Sequence, residues 1–446
     1  MSLFSLLRRT TAAVGVSLAA LAVLAPATAF AQALDDYRSA ASGNWATAAT
    51  WERFDGSTWV AAVTSPTSAN GVITIRSGHT VTIAASGLSY DQVVVDGGGQ
   101  VTVAATVTST LANGTGTDLT INGTWLNQGG TWTTTGTWAV GAGGTYIHNT
   151  TSGISTPLGA ATLDAASNFI YRGSSTLTPA LSTSGRTYGN LSLESTSGSW
   201  TASLSGAGTL TVNGNFTIGS GVTYSTTQTG TMTFAGNFTN NGTLTNSTGT
   251  QVYTFTGSGK SISGNSISFE TLNINSGASI TFASPVTLGA TFTTTVSGTA
   301  IAAAAVTNSG TMNVSGTLQL DPGGSITGTA PTYSGSGTLV YNRTATVGTE
   351  WGSGGSVGAG VPQNVTVQTG TLTLPGTART VPGNLSFTGG SASQSGGDLT
   401  VNGTLALGSS TITTGGSKVI LPASGSLTRT SGYVAGNLQK NVATGS

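Results

Sequence analysis

The feature that most constrains this chain is a short unit that keeps returning. An alternating apolar–polar strand runs into Asn-Gly or Gly-Asn, and a second short strand follows. Leu119-Thr120-Ile121-Asn122-Gly123-Thr124-Trp125 is one copy, Leu210-Thr211-Val212-Asn213-Gly214-Asn215-Phe216 a second and Leu399-Thr400-Val401-Asn402-Gly403-Thr404-Leu405 a third. Looser copies are Met232–Phe238, Met312–Leu318 and Val381–Leu385. Period-2 alternation is the signature of a half-buried strand. Units of this kind span the length of the chain without a change in composition, further than one sandwich or barrel extends, usually about 250 residues. A stack that adds one coil per repeat has no such limit. The pattern therefore predicts an all-β parallel β-helix over residues 96–430. Like side chains should stack coil on coil, with Asn and Thr ladders at the corners. Asn and Gly are expected there because they tolerate a left-handed backbone. At roughly 20 residues per coil, a usual repeat length for solenoids, about 16 to 18 coils are expected. An antiparallel meander is the structural rival, since Asn-Gly is also a hairpin signal.

Charge excludes several functions. Asp, Glu, Lys and Arg make up 6% of the chain, against about 25% in ordinary globular domains. Without a basic patch there is nothing to neutralise phosphates, so no nucleic-acid partner is expected. Val, Ile, Thr, Phe and Tyr in alternating runs argue against disorder. There is no cysteine, which removes disulfides, thiolate metal sites and cysteine nucleophiles.

Residues 1–31 read as a signal peptide helix. Arg8 and Arg9 precede an apolar run from Ala12 to Ala25, and Ala29-Phe30-Ala31 is a small-x-small cleavage site. The apolar run falls short of the roughly 20 residues of a membrane span, and Ile301–Val306 is shorter still. The mature chain is expected to begin near Gln32, without a transmembrane span, and to be extracellular or on the outer cell surface. Residues 32–95 hold Trp45, Trp51 and Trp59 and a large share of the charge. That suits an N-terminal cap over the open end of a solenoid core.

Chemistry is sparse. The carboxylates beyond residue 100 are Asp118, Asp164, Glu194, Glu270, Asp321, Glu350 and Asp398, far apart in sequence, whereas glycoside cleavage needs a convergent pair. Asp91 and Asp96 flank Val93–Val95 and read as solvated strand ends rather than cation ligands. His79 and His148, the two histidines, fall short of a zinc set. Gly354-Gly355-Ser356-Val357-Gly358 has the Gly-x-Ser-x-Gly spacing, without a helix to follow. No catalytic residue, cofactor or metal is expected. One cluster suggests binding: Trp125, Trp132 and Trp138 with Tyr146 beyond, either an exposed row for sugar faces or rings stacked inside the coil.

Several segments resemble the large secreted and cell-surface β-helix proteins of the Bacteroidetes and their relatives. They are Tyr37–Trp45 with Ala49-Thr50-Trp51-Glu52, Val72–Thr82, Thr145–Asn149, Tyr188–Leu191, Tyr341-Asn342-Arg343 with Gly348-Thr349-Glu350-Trp351, and Gly432–Val442. The resemblance implies a right-handed β-helix exported by the type nine route. It also implies that residues 431–446 open a further β region and that the chain continues beyond Ser446. The function expected is a structural or adhesin-like surface rod, with extracellular polysaccharide or other cells as partners. The alternatives are a carbohydrate-binding module and, behind it, a polysaccharide lyase or hydrolase.

Overall fold

The computed structural model describes residues 32–246 and 250–443; the expected signal peptide, residues 1–31, lies outside them. The described chain is a parallel β-solenoid of about 17 turns. A representative coil has three strands, Leu210–Val212, Phe216–Ile218 and Val222–Gln228. The next coil repeats them as Thr231–Phe234, Phe238–Asn240 and Thr243–Asn246, each parallel to its predecessor. The strands are short because each need only cross one face before the next corner.

The second strand of each coil belongs to one ladder of eighteen strands, from Gly43–Asn44 to Ser426–Thr428. From Val81 onward, successive rungs of its inward column lie 18 to 26 residues apart, the extremes being Ala302–Leu320 and Tyr341–Val367; the first step, Gly43 to Val81, is longer because it takes in the N-terminal antiparallel strands. Alternation turns one side chain in and the next out. Val81, Val101 and Trp125 therefore stack as one inward column. Further along, Leu191, Phe216, Phe238, Ile262 and Phe282 continue it. These side chains are buried and belong to a single core running from Tyr37 to Leu421.

The corners hold a correction. Asn122-Gly123, Asn213-Gly214 and Asn402-Gly403 do not take the left-handed backbone expected of them. Glycine is required there by crowding. A Cβ on Gly236 would run into the carbonyl of Gly214 in the coil before, and one on Gly316 into the carbonyl of Gly298. The left-handed glycines sit in longer four-residue corners, such as Gly143 (φ 76°) and Gly277 (φ 82°).

At the N-terminal end the pairing changes. Tyr37–Ser39 pairs antiparallel with Trp51–Phe54, which pairs antiparallel with Trp59–Ala61. From Ile73 onward the strands stack parallel, Ile73–Ile75 on Val93–Val95. Trp45 and Trp51 lie edge to face at 5.0 Å over this end of the core. Their indoles are satisfied by backbone carbonyls, Trp51 Nε1 donating to Trp45 (2.7 Å) and Trp45 Nε1 to Pro66 (3.0 Å). At the other end, Tyr433–Lys440 pairs on Thr411–Leu421. Among the described residues the α-helix is one short turn, Ser155–Gly159. No helix of the described residues is long and apolar enough to cross a membrane.

Candidate functional site

The spacing of Trp125, Trp132 and Trp138 places one ring on each of three successive strands, Thr124–Asn127, Thr131–Thr134 and Trp138–Val140. Each ring occupies an inward position, so the three meet at the coil axis. Trp125 and Trp132 lie 5.9 Å apart, Trp132 and Trp138 4.9 Å, and Trp138 and Tyr146 5.2 Å. The stack continues to Tyr90 on one side (5.7 Å) and Phe169 on the other (5.0 Å). Relative exposure is 0% for Trp125 and Tyr146, 1% for Trp138 and 5% for Trp132. None of the four rings offers a face to a sugar; they are part of the core.

This aromatic core is imperfectly satisfied. Trp125 Nε1, Trp132 Nε1, Tyr146 Oη and both ring nitrogens of His148 have no hydrogen bond of ordinary geometry. Trp132, Tyr146 and His148 surround a void with Asn127, Ser152 and Ile154, and it has no room for a water molecule. Burial lowers the pKa of His148 to about 4, so the imidazole is neutral at pH 7. Burial likewise pushes the Tyr146 phenol upward. His79 is elsewhere, its Nδ1 2.8 Å from the Ser39 hydroxyl.

The solenoid does bring two carboxyls together that the sequence leaves 27 residues apart. Asp91 and Asp118 face each other across adjacent coils, close enough for each to shift the other's pKa. Asp118 accepts the backbone N–H groups of Gly114 (2.8 Å) and Thr137 (2.6 Å), which hold it ionised and its pKa low despite burial. Asp91 is raised, first by burial and then by Asp118, so of the two it gives up its proton at the higher pH. Coil length was the only signal for this pair. Asp118 is fully buried, and its oxygens are committed to structural donors. Asp96 is not part of the pair; burial raises its pKa and Arg76 opposes the shift.

A second buried polar cluster ties down the loop after Tyr341. Glu350 Oε1 accepts from Tyr341 Oη (2.8 Å) and the Gly348 N–H (2.9 Å). Tyr333 Oη donates to the Glu350 carbonyl at 2.9 Å. Arg379 Nε donates to the carbonyl of the fully buried Trp351 at 3.1 Å. Ser356 follows in a bend without a helix. The remaining carboxylates have separate structural partners: Glu194 pairs with Arg172 at 2.8 Å, Asp321 accepts from Gln319 and Asn342, and Asp398 accepts the Lys418 N–H. Among the described residues no group of three or more His, Asp or Glu could hold a metal ion.

By its pairing, the chain is a parallel β-solenoid whose chemistry-bearing side chains mostly fasten one coil to the next. No protein-family model, no curated protein and no solved structure matches it.

Proposed function

We propose that this chain is an exported surface rod with a structural or adhesive role. The observation that carries the reading is the unbroken core from Tyr37 to Leu421. About 17 coils, at the usual strand separation of about 4.8 Å, give a rod on the order of 80 Å long. A rod of that kind holds whatever it carries away from its attachment point. Its sides are lined by Thr, Ser and Asn rather than by charge, which suits contact with neutral extracellular material. The apolar run Ala12–Ala25 behind Arg8 and Arg9 supports export, with cleavage after Ala31. The resemblance to secreted Bacteroidetes β-helix proteins supports surface display through the type nine route.

The test is to express the full chain in a bacterium with that route and follow it by cell fractionation and surface proteolysis. The expected product begins at Gln32 and is cleaved by protease added to intact cells. Retention of the uncleaved chain in the cytoplasm would overturn the reading.

A further inference from the structure

One sheet differs from the others in what its outer face offers. It has eight strands, from Arg186–Tyr188 to Thr332–Tyr333. Its central outward column has threonine in six of eight rungs: Thr187, Thr211, Thr233, Thr254, Thr295 and Thr332. Asn273 and Asn313 fill the other two. Two residues earlier on the same strands, Thr231, Val252, Thr271, Thr293 and Thr311 form a second column. No charged side chain stands in either column. The pairing is in register throughout, whereas shifts occur between Tyr341 and Asn342 and between Thr413 and Lys418 in other sheets.

Among the described residues, none of the hydroxyls of these two columns is hydrogen-bonded to another group. Elsewhere, stacked hydroxyls bond each other, as in Thr110–Thr133 (3.0 Å), Thr371–Ser391 (3.0 Å) and Thr404–Ser426 (2.9 Å). The eight-stranded sheet thus carries an in-register, uncharged array made mostly of threonine hydroxyls and methyls. The repeat is about 4.8 Å from rung to rung and about 6.7 Å between columns.

The geometry points to ice as the partner of this face. One threonine gains little by exchanging one water for another, because a hydrogen bond to water replaces an equal one. An array fixed by the backbone orders many waters at once, with no rearrangement of its own. Such an array favours water that is already a lattice with repeats in this range. Charge complementarity agrees, since a neutral face has no ion pair to offer and none to desolvate. A sugar chain fits less well, because Phe234, Tyr253, Phe255 and Tyr333 in these strands all point into the core. No ring is left on the face for a sugar to stack on. The inference rests on the fold and not on where the chain is displayed.

The test uses the purified full chain, partitioned between slowly growing ice and the remaining liquid, with ice recrystallisation followed in parallel. Enrichment in the ice and slowed recrystallisation are expected. Thr233→Tyr with Thr254→Tyr should abolish both, and Thr233→Val with Thr254→Val, which keeps the shape, should weaken both. Thr373→Tyr, on another sheet, should leave both intact; circular dichroism and melting temperature establish that each variant is folded. Exclusion of the folded wild-type chain from ice overturns the proposal. So does equal loss in Thr373→Tyr, or retention on an insoluble neutral polysaccharide without capture by ice.

Discussion

The side-chain carbonyl of Asn190 accepts the backbone N–H of Asn215, one coil further on, at 2.8 Å. Asn215 does the same for Asn237 (3.0 Å), and Asn237 for Ser261 (2.9 Å). Asn364 and Asn384 rebuild the relay nearer the C-terminus. Each asparagine caps a corner donor that no strand pairing reaches. Asn215→Ala should therefore lower stability by about 1 kcal/mol, the usual net worth of one such bond. The measurement is the urea midpoint, and an unchanged midpoint would show that water replaces the amide.

The corner glycines should be less forgiving than their ordinary backbone angles suggest. Gly236→Ala drives a methyl into the Gly214 carbonyl, a steric conflict expected to cost about 1–3 kcal/mol. Gly277 is left-handed but has open space where its Cβ would stand. Gly277→Asn should therefore cost less than Gly236→Ala in the same urea titration.

Phe234 is fully buried and lies 5.3 Å from Phe216, 5.2 Å from Phe238 and 5.5 Å from Phe255. Phe234→Ala should cost about 3–5 kcal/mol. In a solenoid each coil leans only on its neighbours, so the damage should stay local. Limited proteolysis should cut this variant near residue 234 and leave both flanks resistant. Uniform digestion would show instead that the rod unfolds as one unit.

His148 gives acid sensitivity with a defined sign. Its folded pKa of about 4 lies below the ordinary 6.5, so the unfolded chain binds the extra proton. The contribution of His148 is full above about pH 6.5 and falls away toward pH 4, at up to about 1.4 kcal/mol per pH unit. His148→Phe should flatten the stability profile between pH 6.5 and 4 relative to wild type. Parallel profiles would show that the ring is already protonated or solvated.

Asp91 and Asp118 should respond differently to the same change. Asp118→Ala strands the Gly114 and Thr137 N–H groups and should cost about 1–3 kcal/mol. Asp91 holds its proton more tightly folded than unfolded. Its contribution is therefore full in acid and is lost as pH rises through the raised pKa. Asp91→Asn keeps a donor toward Asp118 without needing that proton, and should be at least as stable as wild type at pH 7 by thermal melting.

The solenoid itself was legible because its causes are local. Alternation in Leu210–Val212 or Leu399–Val401 fixes the inward face, and the returning Asn-Gly pair marks the corner between one strand and the next. The asparagine ladder was legible for the same reason. The role of the glycines was not, because the carbonyl that excludes a Cβ at Gly236 comes from another coil. The spacing of Trp125, Trp132 and Trp138 was compatible with a row or a stack until inward and outward were assigned. Asp91 with Asp118, and Glu350 with Tyr341 and Arg379, depend on coils whose lengths vary from 18 to 26 residues. Such irregular steps hide which distant side chains will meet.

That variation in coil length also bears on mechanical load. The bonds between coils run along the rod, and Tyr433–Lys440 is the last strand laid on it among the described residues. Tension applied to the strand Tyr433–Lys440 would peel the solenoid one coil at a time. Each release would free 18 to 26 residues of slack, roughly 60–90 Å when drawn out. A tether that yields in such steps dissipates a sudden pull while the coils below it stay wound.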